Sequence, residues 1–266
     1  MDLKLSGKRA LVTGSSSGIG EAVARLLAEE GATVAIHGRD AARAEKVAVQ
    51  IKQAGGSAEA LTADLTDETA ASQLFELVQS KLGGIDILVN NAGGRPVGWK
   101  QTDWLRQGAK TWLDTYQLNV LATTRAIDAF VPGMIERGWG RVVQIASAIA
   151  LHQPPRFPDY QAAKAAEINL SRSLSRALAG TGVTSNAISC GIIHTPGSQN
   201  ELQDLTREVG LGEDWSAVQR RLALDIFRQS VGRVGRGSDI AATVAFLASP
   251  LADFITGINV VVDGGI

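Results

Sequence analysis

The 266-residue sequence has a single cysteine and no excess of either charge. One cysteine, Cys190, cannot form a disulfide within the chain. Lysine and arginine total 26 against 27 for aspartate and glutamate, so no net positive charge is available to hold a polyanion or an anionic membrane surface. We therefore expect neither nucleic acid nor membrane as a partner.

The sequence also lacks long hydrophobic runs. No uninterrupted apolar run reaches the roughly 18 residues that a membrane-spanning helix needs. Met1 is followed by the charged residues Asp2 and Lys4 rather than by a basic and then apolar leader. We expect a soluble, cytoplasmic protein. Its 45% hydrophobic and 20% charged residues are typical of a folded globular chain.

Short β-branched or aliphatic runs alternate with longer Ala- and Leu-rich stretches. This alternation is what a parallel sheet with crossover helices requires. The predicted strands are Arg9 to Val12, Thr33 to Ile36, Ala58 to Thr62, Ile85 to Val89, Arg141 to Ile145, Val183 to Ile188 and Ile258 to Val262. The predicted helices are Ile19 to Glu30, Ala41 to Ala54, Glu68 to Leu82, Asp103 to Glu136, Tyr160 to Ala179 and Asp239 to Ala248. The sequence predicts a doubly wound, Rossmann-type α/β fold, with about seven parallel strands and helices on both faces.

Residues 192–236 interrupt this rhythm and delay the last strand. They contain a mixed amphipathic stretch around Trp215 to Phe227. Internal repeats and low-complexity linkers are absent from the sequence, so nothing marks a second domain. We expect one domain over residues 1–266, with 192–236 as an insertion that covers the substrate.

A glycine-rich turn, TGSSSGIG over residues 13–20, follows the first predicted strand and precedes a helix-forming run. Glycines let backbone N–H groups approach a pyrophosphate, and the positive end of the following helix favours that anion. A plain Gly/Ser turn is the alternative, but the strand–turn–helix context favours a dinucleotide. The predicted cofactor contacts here are Gly14, Ser16, Ser17, Gly18, Ile19 and Gly20.

Tyr160 and Lys164 are four residues apart in a predicted helix and therefore share one of its faces. The ammonium of Lys164 favours the phenolate of Tyr160, which makes the phenol usable as an acid or base. Ser147 follows a predicted strand at the edge where ligands lie in such sheets. These three residues predict a site for carbonyl chemistry. Asn119, inside a predicted helix, suits either a kink or a site.

Together these motifs resemble the short-chain dehydrogenase/reductase family, in the compact type similar to 3-oxoacyl-carrier-protein reductases. The resemblance spans nearly the whole chain and includes Asp64 and the Asn-Asn-Ala-Gly segment at 90–93. It implies that Tyr160 is the general acid/base and that Ser147 orients the substrate oxygen. It also implies that Lys164 binds the nicotinamide ribose, and that Asn119 positions a relay water.

The resemblance also implies further cofactor contacts. They are Tyr160, Lys164, Asp64, Leu65, Asn91, Ala92, Gly93, Gly191, Ile193 and Thr195. Cys190 replaces a proline that the family usually has before Gly191, which removes a fixed φ angle from this turn. We interpret Cys190 as a small buried thiol rather than a catalytic one.

The cofactor's 2′ position is read at the end of the second strand, where the sequence is His37-Gly38-Arg39. No acid stands there to pair with a free ribose hydroxyl, and the fork of Arg39 suits a 2′-phosphate. We favour NADP(H). NAD(H) remains an alternative, because Arg39 also fits a solvated loop charge and many NADP-using relatives carry Lys or Arg at the position of Ser17.

The sequence thus predicts an oxidoreductase that transfers a hydride between a nicotinamide and a small-molecule carbonyl or secondary alcohol. Its candidate substrates are a 3-oxoacyl thioester, a cyclic ketone or a small alcohol. A sensor or scaffold that binds nicotinamide without turnover is the alternative. No metal is expected, and relatives suggest a homotetramer formed through the two long helices. Arg95, His152 and Arg156 are candidate contacts for an acidic substrate tail.

Overall fold

The computed structural model describes residues 2–96, 104–208, 210 and 214–266. The main sheet contains β1 (Arg9–Val12), β2 (Thr33–Gly38), β3 (Ser57–Thr62), β4 (Ile87–Asn90), β5 (Gly140–Ser147), β6 (Val183–Cys190) and β9 (Asn259–Val262). Two short strands, β7 (Ile193–His194) and β8 (Gly235–Arg236), pair with each other. The helices are α1 (Gly18–Glu29), α2 (Ala41–Gln53), α3 (Ala70–Leu82), α4 (Ala109–Tyr116), α5 (Ala122–Glu136), α6 (Ile149–His152), α7 (Pro158–Ala177), α8 (Gln199–Glu208), α9 (Trp215–Arg221) and α10 (Gly237–Ala248).

The strand order of the main sheet is β3-β2-β1-β4-β5-β6-β9, and every pair in it is parallel. Helices α1, α2 and α10 pack on one face through residues such as Leu27, Val47 and Val244. Helices α3 and α5 pack on the other face through Leu74 and Phe130, among others. Because helices cover both faces, the residues of the central strands β1 and β4 are almost all apolar, without alternation. The predicted fold class is confirmed, as are all seven predicted strands.

The predicted helix from Asp103 to Glu136 is wrong as a single element. Asp103 lies outside the described residues; the rest is a 3₁₀ turn at Trp104–Arg106, then α4, a π-helical segment at Gln117–Leu121 and α5. The Asn119 side chain donates to the Thr115 carbonyl inside this helix, a local bond that competes with regular helical pairing. The spacing of apolar residues in the sequence does not reveal such a change of helical pitch.

The insertion at 192–236 contains β7, β8, α8, α9 and a π-helical segment at Leu222–Ile226. It has a small apolar cluster of its own, formed by Leu202, Val218, Leu222 and Val234. Residues 209 and 211–213 of this segment lie outside the described residues. Its role as a substrate cover stays a prediction. Among the helices that the structure describes, none is long and apolar enough to cross a membrane.

Candidate active site

The candidate site lies where the chain changes its winding direction, between the carboxyl ends of β1 and β4. Thr13 joins these ends, since its hydroxyl donates to the Val89 carbonyl at 3.3 Å and accepts the N–H groups of Asn91 and Ala92, each at 3.0 Å. The Asn91 amide in turn donates to the carbonyls of Thr13 and Gly14, at 2.9 and 3.1 Å. The side chain of Asn91 therefore fixes the glycine turn.

The glycine turn is packed so closely that side chains cannot replace its glycines. Gly14 has φ +66°, and a Cβ there would lie 2.9 Å from the Ala92 Cα. A Cβ on Gly20 would lie 2.4 Å from the Asn91 amide nitrogen. Among the described residues, the Ser17 side chain makes no capping hydrogen bond to α1, so the first N–H groups of this helix lack a partner within the helix. Backbone amides at a helix N-terminus fit the pyrophosphate of a dinucleotide.

A cavity of about 240 Å³ adjoins this turn. Its lining includes Gly18, Ala22, Thr195 and Gly237. Thr195 lies directly over the turn, because a Cβ on Gly18 would lie 3.5 Å from the Thr195 Cβ. The turn and the segment after β6 thus form two walls of one space, and the contacts of Gly18 and Thr195 with a cofactor stay a prediction.

His37, near the end of β2, is hydrogen-bonded to the backbone of the glycine turn. Its Nδ1 accepts the Gly14 N–H at 3.2 Å, which leaves the proton on Nε2 to donate to the Ala63 carbonyl at 3.2 Å. Burial lowers the pKa of His37 to about 4, so the ring is neutral at neutral pH. Sequence reasoning missed this role, because a histidine next to Gly38 is also an ordinary strand residue.

The end of β2 brings Ser16 and Arg39 together. A Cβ on Gly38 would lie 2.6 Å from the Ser16 hydroxyl oxygen, and Arg39 follows in the chain with an exposed side chain. Asp64 is largely exposed and lies near Arg39. Its limited burial raises the pKa of its carboxyl. Hydrogen bonds from the Thr66 N–H and hydroxyl, together with the charge of Arg39, outweigh this and hold that pKa below its usual range. The Leu65 side chain packs into the core, and its carbonyl accepts a hydrogen bond from Arg125. A cofactor contact by Leu65 would therefore be made by its backbone N–H.

Ser147, Tyr160 and Lys164 meet at the carboxyl end of β5. Ser147 is the last residue of that strand, and Tyr160 and Lys164 lie in the first two turns of α7. The Ser147 hydroxyl lies close enough to the Tyr160 phenol to lower the pKa of that phenol. The Lys164 Nζ lies 5.6 Å from the centroid of the Tyr160 ring and donates to the Ile145 carbonyl at 3.0 Å. The three side chains that the sequence predicts together are together.

The pKa of Tyr160 differs from the sequence expectation. Burial raises it above its ordinary value, and this outweighs the lowering by the Lys164 charge and by the Ser147 hydroxyl. Lysine thus acts in the expected direction, but in the free protein the phenol stays protonated. A protonated Tyr160 suits the donor of a proton to a carbonyl oxygen.

Asn119 is fully buried in the π-helical segment. Its amide oxygen accepts the Gly94 N–H at 3.0 Å, and its amide nitrogen donates to the carbonyls of Gly94 and Thr115 at 2.8 and 2.7 Å. A Cβ on Gly93 would lie 2.6 Å from the Asn119 oxygen and 3.2 Å from the Lys164 Nζ. Asn119 therefore holds the backbone that follows β4 next to Lys164, and its predicted role at the site stays a prediction.

After β6 the chain passes close to its own C-terminus. The Gly191 N–H donates to the Val262 carbonyl at 3.0 Å, and a Cβ on Gly191 would lie 2.5 Å from the Asp263 Cα. Ile193 is buried in β7. Burial raises the pKa of the Cys190 thiol to about 12, in line with a small inert thiol.

Arg95 does not meet a substrate tail. Its side chain is fully buried, with Nε 3.1 Å from the Asp159 carboxylate, and it also donates to Gln107 at 2.7 Å. Thr115 donates to the same carboxylate at 2.7 Å. The hypothesis of an Arg95 contact to substrate is wrong, because this pair anchors the start of α7 next to Tyr160. Of the other two candidates, His152 pairs with Asp263 at 3.1 Å, and Arg156 is exposed.

Comparison with known proteins identifies the family of this chain. The fold, the glycine turn and the Ser–Tyr–Lys cluster define a dinucleotide-binding oxidoreductase, and the short chain dehydrogenase family model matches residues 8–206. The 3-oxoacyl-[acyl-carrier-protein] reductase of Aquifex aeolicus is 33% identical over 268 residues, covering 100% of this chain and 99% of that protein. The chain belongs to the short-chain dehydrogenase/reductase family, which confirms the predicted family, and it is an NAD(P)-dependent oxidoreductase.

Two solved structures show how far the similarity extends. The L-sorbose reductase of Gluconobacter frateurii, complexed with NADPH and L-sorbose, has a TM-score of 0.90 and 32% identity, covering 100% of this chain and 98% of that one. A 7α-hydroxysteroid dehydrogenase complexed with NADH and 7-oxo glycochenodeoxycholic acid has a TM-score of 0.85 and 30% identity, covering 99% and 96%. Similar chains thus use different cofactors and substrates.

The neutral state of His37 predicts a loss of stability in acid. The unfolded chain takes up a proton at this residue near its ordinary pKa of about 6.5, whereas the folded chain does so only near 4. The free energy of unfolding therefore falls as the pH drops from about 6.5 to about 4, by up to roughly 3 kcal/mol. We expect His37→Asn to flatten this dependence, as measured by chemical denaturation across that pH range. His194→Asn, at an exposed histidine, is the control; equal slopes in wild type and His37→Asn contradict the assignment.

Proposed function

We propose that this enzyme reduces a small-molecule ketone, or oxidises the corresponding secondary alcohol, with NADP(H) favoured and NAD(H) as an alternative. Asn119, Ser147, Tyr160 and Lys164 are the proposed catalytic residues, and the role of Asn119 is to position a relay water. The observation that carries the proposal is the meeting of Tyr160, Ser147 and Lys164 at the sheet edge beside the glycine turn. The family's activity and the relatives' bound nicotinamides support it.

Each side chain has a defined task in the reductive direction. Ser147 donates a hydrogen bond to the substrate oxygen, and Tyr160 gives that oxygen its proton as the carbonyl carbon gains a hydride. Lys164 stabilises the phenolate that Tyr160 becomes, and it binds the nicotinamide ribose. The bound nicotinamide supplies the hydride. Asn119 holds Gly94 and positions a water that returns a proton to the site.

The backbone around the glycine turn holds the cofactor in this proposal. Gly14, Ser16, Ser17, Gly18, Ile19 and Gly20 receive the phosphates, and Asn91, Ala92 and Gly93 line the path to the nicotinamide. Gly191, Ile193 and Thr195 bound its far side, and Asp64 and Leu65 lie at the adenine. The exposed Arg39 and the neighbouring Ser16 hydroxyl support a 2′-phosphate, since both offer donors at the end of β2.

The substrate is proposed to be a 3-oxoacyl thioester, a cyclic ketone or a small secondary alcohol. The relatives named above act on an oxoacyl chain, a sugar and a steroid, which supports a carbonyl but no single skeleton. Ile149, Leu151, Phe157, Ile192 and Trp215 supply a mainly apolar wall. Trp215 stacks on His194 with ring centroids 4.5 Å apart, which connects the insertion to β7 beside the cofactor cavity.

Replacing the phenol tests catalysis directly. Tyr160→Phe removes the proton donor without changing the ring, so the rate of NADPH consumption with a panel of ketones and oxoacyl thioesters should fall by about 100-fold or more. NADPH binding, followed by fluorescence, should persist. Tyr116→Phe is a matched control, because the sequence has two tyrosines. Equal rates for wild type and Tyr160→Phe refute the assignment, and NADPH binding without turnover on any substrate favours the sensor alternative.

Cofactor preference depends on Arg39. Losing a charged hydrogen-bond donor to a phosphate costs about 1.5–3 kcal/mol, so Arg39→Ser should raise the KM for NADPH by roughly 10- to 100-fold and leave that for NADH nearly unchanged. Arg43→Ser, on the exposed start of α2, is the matched control. Steady-state kinetics with both cofactors measure the ratio. A similar change for both cofactors rules out a contact to the 2′-phosphate.

We propose a cytoplasmic homotetramer. Leu113, Leu121 and Ile135 are exposed along the segment from α4 to α5, which supports contact with a second subunit through these helices together with α7. Light scattering at micromolar concentration should give about four times the chain mass of 27.9 kDa. A monomeric mass contradicts the assembly without affecting the proposed chemistry.

A further inference from the structure

A buried acid contacts the proposed catalytic lysine. Glu167 lies three residues after Lys164 on α7, and its two carboxylate oxygens are 2.9 and 3.1 Å from the Lys164 Nζ. The two side chains are only 3% and 5% exposed. Sequence analysis did not identify Glu167, because an acid three residues after a lysine is also a common surface pair.

Burying this carboxylate is costly, so its placement calls for a physical reason. A buried ion pair recovers its desolvation cost only with good geometry and further hydrogen bonds. Lys164 has both, because it donates to Glu167 and to the Ile145 carbonyl. The ammonium is thereby held between β5 and the interior side of α7, with the Tyr160 ring 5.6 Å away.

Among the residues that the structure describes, few other charged or titratable groups act on this pair from the elements around it. Helix α7 itself contributes the phenol of Tyr160, and strand β6 contributes the protonated thiol of Cys190. Toward α4, the buried charges of Asp159 and Arg95 neutralise each other, and toward α6, His152 is bound by Asp263. From the π-helical segment comes the uncharged amide of Asn119. Glu167 is therefore the anion that balances Lys164.

We propose that Glu167 is a positioning residue whose carboxylate holds the Lys164 ammonium and limits how strongly that ammonium acts on the Tyr160 hydroxyl. The inference rests on the proposed function of the Tyr160–Lys164 pair. Its consequence is that the charge of Glu167 helps to set the pH range in which Tyr160 exchanges its proton.

The electrostatics around Tyr160 agree with this role. After burial and the opposing effect of Lys164, the negative charge of Glu167 contributes to raising the pKa of Tyr160. Burial raises the pKa of Glu167 itself to about 7, even though Lys164 favours its charged form. Loss of the carboxylate charge leaves the ammonium uncompensated, so the phenolate becomes easier to form.

The test is a titration of Tyr160 in the free protein. With ¹³C at the ring carbon that bears the hydroxyl, the two tyrosines give two NMR signals, and the spectrum of Tyr160→Phe assigns them. Glu167→Gln keeps the shape and an acceptor for Lys164 but removes the charge. We expect the Tyr160 titration to move to lower pH by about one unit or more. The acid limb of the kcat/KM profile for alcohol oxidation should move in the same direction.

Control variants separate this effect from a structural one. Glu136→Gln removes the same charge from the exposed end of α5 and should leave the Tyr160 titration unchanged. Glu167→Met is a second uncharged variant, for use if Glu167→Gln does not fold. A folded Glu167 variant whose thermal stability changes while Tyr160 titrates as in wild type overturns the proposal. The titration needs neither substrate nor cofactor, so it is separate from the outcome of Tyr160→Phe in the activity assay.

Discussion

The hydroxyl of Thr13 holds together the two strands on which the site depends. It lies at the end of β1, which has β2 and β3 on one side and β4 and the later strands of the sheet on the other. Through one donated and two accepted hydrogen bonds it fixes the end of β4 to the glycine turn. Asn91 and His37 extend this connection to both sides of Gly14. The glycine turn and the segment after β4, which contacts Lys164 at Gly93, are thereby fixed relative to each other.

Much of this arrangement follows from local sequence. Strands such as β1 and β4 are visible as apolar runs, because a sheet covered on both faces needs no alternation. The four-residue spacing of Tyr160 and Lys164 places both on one face of α7, as a regular helix requires. The strand, turn and helix around residues 9–29 likewise follow from short-range glycine and helix-propensity rules.

What the sequence did not reveal depends on partners far apart along the chain. Arg95 looks like a surface charge until Asp159, 64 residues later, is seen to neutralise it. The roles of His37 and Glu167 depend on burial, which their residue types argue against. The π-helical segment contains a side-chain bond, from Asn119 to the Thr115 carbonyl, that hydrophobic periodicity does not record. In each case a polar group is buried in the interior, and its role depends on the partner to which it is hydrogen-bonded.

The central claim is that Ser147 and Tyr160 act on one substrate oxygen, with Lys164 behind the phenol. Burial raises the pKa of Tyr160, so the phenol is protonated in the free protein, as the proposed proton donor must be. The most direct test is a crystal structure with a nicotinamide cofactor and a ketone that the enzyme reduces. The account predicts that the carbonyl oxygen accepts hydrogen bonds from both hydroxyls. A ketone oxygen bound elsewhere, with the Tyr160 hydroxyl turned away from it, contradicts the account.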